Sequence, residues 1–96
     1  MSYTLRDAAS GRLLSCMQLN GYQLPYYGIV IWDEKPDAAA IEEAIRRAGE
    51  NGPAENWMPV ELTGHQAKMA NVKLKNDVRR RVFLNNNVLT STLESP

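Results

Sequence analysis

The sequence has little with which to do covalent chemistry. Among its 96 residues there is one cysteine, Cys16, and one histidine, His65. No internal disulfide can form, and no Cys or His pair has metal-ligand spacing. There is no Gly-x-Ser-x-Gly, no Gly-rich phosphate loop and no dinucleotide fingerprint. Neither sign of charge is in excess, with eleven Lys and Arg against eleven Asp and Glu. That balance excludes whole-molecule attraction to nucleic acid or anionic lipid, and it removes the long-range repulsion that keeps copies apart. No apolar run approaches the roughly 20 residues that span a bilayer, which argues against a membrane partner. Met1–Asp7 lacks the basic-then-apolar pattern of a signal peptide. With a single thiol and no leader, the expected compartment is the reducing cytoplasm.

What remains is the composition of an ordinary globular protein: 44% hydrophobic and 23% charged residues, which disfavours disorder. The length fits one domain spanning residues 1–96. Tyr3–Arg6 reads as a strand, and Asp7–Gly11 supplies a turn into a second strand, Arg12–Leu19, forming a hairpin. Both faces of that second strand are largely apolar, so it is expected to be central. Pro25 holds the Tyr22–Tyr27 stretch extended. Gly28–Trp32 is the clearest strand, β-branched and apolar on both faces.

A helix follows, with Asp33 as candidate N-cap and Pro36 in its first turn. Ile41, Ala44, Ile45 and Ala48 make one apolar stripe. Glu42 faces Arg46 and Glu43 faces Arg47 in the favourable i, i+4 order, and Gly49 or Gly52 ends the helix. Trp57–Leu62 reads as a strand in which Pro59 demands an edge or a bulge. Residues 65–75 are ambiguous. Ala70, Val72 and Leu74 alternate with Asn71, Lys73 and Lys75, which favours a strand, although Gln66–Met69 could form a helical turn. Arg80–Leu84 and Val88–Leu93 read as strands joined by Asn85-Asn86-Asn87, asparagines being tolerant of left-handed backbone. Glu94–Pro96 reads as a frayed tail. The fold class is therefore α+β: a small mixed or antiparallel sheet in the order β-β-β-α-β, then two or three β, packed on one amphipathic helix.

Three clusters are candidates for function. Tyr22, Tyr26 and Tyr27, with Trp32 and Trp57, could line a pocket for a protein or small-molecule ligand. The same rings could instead close the edge of the core. Lys68, Lys73, Lys75, Arg79, Arg80 and Arg81 give residues 65–81 a surplus of five positive charges, and such a ribbon could hold a phosphate backbone; a solvated outer face guarded by lysines is the simpler reading. Asp33, Glu34 and Asp37 could gather on a cation, but the helix dipole accounts for acids at a helix start. Cys16 lies among aliphatic residues, which makes it a small hydrophobe rather than a nucleophile activated by His65. Two local motifs, Gly21–Gly28 and Asn71–Asp77, carry no evident mechanism.

These features point to a small non-catalytic binding or protein-interaction domain, with no cofactor and no metal. A weak nucleic-acid binder using residues 68–81 is the alternative, and an enzyme or enzyme subunit with an aromatic-lined pocket is the next. Because one helix covers only one face of a sheet, the other apolar face calls for a second layer, and a homodimer is the expected way of supplying it.

Overall fold

Leu13 and Leu14 are neighbours in the chain, both wholly buried, and each belongs to a different core. Successive side chains of an extended strand point to opposite faces, so the segment around them forms a wall between two apolar clusters. The computed structural model describes residues 1–94, and its elements are arranged around that wall. They run β1 (Ser2–Asp7), β2 (Ser15–Leu19), β3 (Pro25–Ile29), α1 (Ala38–Arg47), a 3-10 turn at Ala54–Asn56, β4 (Trp57–Leu62), α2 (Gly64–Leu74), β5 (Arg80–Asn85) and β6 (Val88–Leu93). The strands form three antiparallel pairs, β1–β4, β2–β3 and β5–β6. The chain is thus the α+β fold its sequence implies.

The strand pairs are stitched together through residues 11–14. On one side, Asp7 N–H donates to Arg12 O and Leu14 N–H to Leu5 O; on the other, Leu13 N–H donates to Val82 O and Leu84 N–H to Gly11 O. Gly11 sits at φ +83°, and a Cβ there would collide with the Asn85 carboxamide. The hairpin expected between the first two strands is present but short, pairing Asp7 with Arg12 and Leu5 with Leu14, and on its other edge β1 pairs along its whole length with β4, Ser2 against Leu62 through Asp7 against Trp57. Pro59 occupies the outer edge of β4, where its missing N–H leaves no ladder bond unmade. β3 begins at Pro25, three residues before the expected Gly28, and ends at Ile29. Beyond it, Val30 N–H reaches Leu14 O and Trp32 exchanges backbone bonds with Tyr3.

α1 buries Ala44 and Ile45 of the expected stripe and ends where Gly49 takes φ +71°. Its N-cap is Asp37, whose carboxylate accepts from Ala40 N–H at 2.9 Å, and not Asp33. Pro36 is buried before the helix rather than in its first turn, and it disfavours helical backbone in the residue it follows. α1 closes one core with Leu5, Leu14, Cys16, Val30 and Trp57.

The larger correction concerns residues 65–75, which are helical as far as Leu74 and not a strand. Thr63 and Gln66 form a reciprocal capping box, which satisfies two otherwise orphan N–H groups at the helix start. Ala67, Ala70 and Leu74 then pack with Leu13, Tyr27, Ile29, Leu62, Val82 and Leu84 in the second core. The sheet is therefore packed on two helices, and α2 covers the face expected to need a second chain. The Asn86 and Asn87 turn is as expected, with φ 52° and 64°, the left-handed pair of a tight hairpin. Of the expected tail, Ser95 and Pro96 lie outside the described residues, while Glu94 N–H donates to Arg79 O at 2.7 Å. Among the described residues no helix is long and apolar enough to cross a membrane.

Candidate functional site

The strand that runs from residue 11 to Leu19 has neighbours along all of one side and along only half of the other. On its inner side β1 gives way to β3. On its outer side β5 covers residues 11–13 and then stops, because the chain before Arg80 turns away toward α2. The outer edge of β2 therefore lies open. The direction of its groups follows from β3. Tyr27 N–H donates to Asn76 Oδ1 at 2.6 Å and Ile29 N–H to Asn71 Oδ1 at 2.9 Å, so both point away from β2. Their cross-strand partners are Met17 and Ser15, and in an antiparallel ladder such pairs both point outward. The N–H groups of Ser15, Met17 and Leu19 thus face the gap, and among the described residues no backbone or side-chain group meets them.

Other edges are treated differently. The edge of β3 is bonded by the two asparagines. The edge of β4 is interrupted by Pro59 and carries Glu61. The edge of β6 also lacks proline and charge, and there Thr90, Ser91 and Thr92 lie between the exposed Val88 and Leu93. β2 has neither proline nor charge, and its outward-leaning side chains are apolar: Met17 is 51% and Leu19 61% exposed. No charged residue occurs between Arg12 and Asp33. The turn that closes this hairpin is held by Asn20, whose Oδ1 accepts from Tyr22 N–H at 2.8 Å and Leu24 N–H at 3.1 Å.

A cavity of about 290 Å³ wraps the open edge near Ser15, Cys16 and Met17 and is bounded by Arg12, Arg47 and Arg81. Arg12 lies 5.2 Å from the Trp57 ring centroid and pairs with Glu50. Burial, and then the neighbouring Arg81 guanidinium, lowers its pKa from the ordinary value. Arg81 donates to the Tyr27 hydroxyl at 3.1 Å and to Val78 O at 2.8 Å, and it pairs with Glu94 at 3.1 Å. Arg47, in the last turn of α1, also lines a second cavity of about 270 Å³ beside Gln18 and Trp32.

The five aromatic residues do not meet in one pocket. Tyr27 is buried in the α2 core and lines the first cavity; Trp32 lines the second. Trp57 is buried on the α1 side, Tyr26 donates to Gln18 Oε1 at 3.2 Å, and Tyr22 stands 86% exposed at the hairpin tip. The basic residues are spread over two elements and the turn between them. Lys68 and Lys73 lie on α2, and Lys75 caps it at φ 54°. Arg79 is held by the Asp77 carboxylate, Arg80 opens β5, and Arg81 is drawn into the cavity. Cys16 is buried with Leu14, Ala44 and Ile45, whereas His65 is exposed on the first turn of α2, so the two form no thiolate pair. Among the described residues no three His, Cys, Asp or Glu side chains gather to hold a metal.

The two motifs without a mechanism belong together. Asn71 and Asn76, from one, bond the backbone of Tyr27 and Ile29, in and next to the other. The open β2 edge was the feature sequence reasoning missed; its signal was the long uncharged run from residue 13 to residue 32. No protein-family model, curated protein or solved structure matches the chain, so its site is read from its own residues.

Proposed function

We propose that this protein is a small protein-interaction domain that receives an extended segment along the open edge of β2. The observation that carries the reading is the row of outward N–H groups at Ser15, Met17 and Leu19, set beside a cavity that wraps the edge. Strand addition takes its affinity from main-chain bonds and its selectivity from alternating side-chain pockets. An unguarded apolar edge is a hazard that proteins ordinarily suppress, and its retention while the β3 and β4 edges are guarded supports use.

The test uses isotope-labelled protein and a short alternating Thr-Val peptide, with an N-methylated copy of that peptide as control. The expected result is amide shift changes centred on Ser15, Met17 and Leu19 with the first peptide and none with the second. Changes centred on α2 and Arg79–Arg81, or identical responses to both peptides, would overturn the reading.

A further inference from the structure

We infer that the segment received by the β2 edge is the β2 edge of a second copy of this chain, an inference that rests on the reading of β2 as an interaction edge. The gap beside β2 continues the track of β5, and a strand filling it runs antiparallel to β2. An antiparallel strand paired with its own copy is two-fold symmetric, and two-fold dimers are the commonest closed assembly.

Charge permits this occupant. Like charges set directly opposite one another across a ladder are destabilising. Here every residue that self-pairing brings face to face, from Ser15 to Leu19, is uncharged, in a chain where 23% of residues are charged. The exposed Met17 and Leu19 side chains of the two copies come together across the new ladder. The tip of each hairpin, Asn20–Leu24, then reaches the guanidinium-lined end of the other copy's cavity. That tip, which carries no charge, brings carbonyl oxygens toward Arg47, whose guanidinium has no carboxylate partner among the described residues, so acceptors meet a donor and no cation meets a cation. The contact needs both parts: a stable interface buries about 1,200 Å² or more in total, and a five-residue ladder alone falls short of that. The four-stranded sheet β3–β2–β2–β3 that results leaves no open β2 edge on either copy.

The experiment is light scattering on a sizing column across a wide micromolar range, combined with hydrogen exchange on the same samples. The expected mass rises from 10.8 kDa to twice that value with concentration, and the Ser15, Met17 and Leu19 amides become protected in step with it. The double variant Met17→Lys, Leu19→Lys changes only exposed side chains. It should keep the thermal midpoint of the monomer while raising the dimer dissociation constant by about tenfold or more, through like charges opposed across the ladder.

A mass that stays at one chain throughout overturns self-pairing. If the alternating Thr-Val peptide still protects the three amides of that monomer, the interaction edge stands with a different partner; if it does not, both readings fall. A dimer whose protected amides lie on β6, at Leu89, Ser91 and Leu93, also overturns the inference. So does tighter binding of an acidic strand peptide to the edge of a chain that stays monomeric.

Discussion

Removing the Asn71 carboxamide is the sharpest probe of how this fold holds its hairpin. Asn71 Oδ1 accepts from Ile29 N–H at 2.9 Å, and Ile29 is buried at 1% exposure. Asn71→Ala leaves that N–H without a partner in an apolar setting, which costs about 1–3 kcal/mol. For a domain of this size that corresponds to a midpoint lowered by roughly 5–20 °C. Asn76→Gly is the matched control. Asn76 lies at φ 53° and its Oδ1 serves the Tyr27 N–H. Glycine keeps the left-handed backbone without strain while removing the acceptor, so this change should cost less, about 1 kcal/mol.

A third variant closes a cycle. A Cβ added at Gly28 would lie 2.9 Å from Asn71 Oδ1 and 2.9 Å from the Tyr26 ring. Gly28→Ala should therefore destabilise strongly alone and less in the Asn71→Ala background, where one of the two obstacles is gone. Urea and thermal unfolding followed by circular dichroism give the three values, and amide exchange should show Ile29 opening first in Asn71→Ala. An unchanged midpoint for Asn71→Ala, or strictly additive costs for the pair, would refute the reasoning.

Two further outcomes follow from single groups. Asp77 is held at about 2, first by the hydrogen bond from the Arg79 side chain and then by the Arg79 backbone N–H. A carboxyl lowered on folding stabilises the protein above its ordinary value of 3.8, and that contribution is lost as pH falls from there toward about 2. Carboxyl-carbon titration by NMR should show this, with Arg79→Ala returning Asp77 toward 3.8; an unmoved titration would refute the pairing. Thr4 is wholly buried, and its Oγ1 meets no partner among the described residues. Thr4→Val should leave stability unchanged or raise it by about 1 kcal/mol, and a clear loss in chemical denaturation would mean that the hydroxyl is satisfied.

The legible parts of this fold were those with a local cause. Asn86 and Asn87 predict their own turn, because few other residues accept positive φ at two successive positions. The α1 stripe is legible because Ile41, Ala44, Ile45 and Ala48 share one face. α2 was misread because its apolar content does not stay on one side: Val72 is exposed while Asn71 turns inward to bond Ile29. The better signal was Thr63-x-x-Gln66, a helix start that does not depend on amphipathicity. The β1–β4 pairing was not legible, since nothing near Ser2 announces a partner beyond residue 56. The edge of β2 was hidden for a related reason. Its openness depends on where β5 begins, and that is set by the turn at Asp77.

The pairing of β1 with β4 also sets a timetable for synthesis. β1 leaves the ribosome first, but its ladder partner follows about fifty residues later, and at 5–20 residues per second that is a delay of several seconds. Leu13 waits longer, because its core partners Val82 and Leu84 come later still. A product that ends after Trp57 already carries every buried residue of the α1 core, whereas the α2 core lacks Val82 and Leu84 until the chain is nearly finished, so a stalled or truncated product exposes the Leu13 face of its strands. For most of its synthesis the nascent chain displays the apolar run of residues 13–32 without the charges that would keep copies on adjacent ribosomes apart. Crowded polysomes are thus where this chain is most exposed to premature strand pairing.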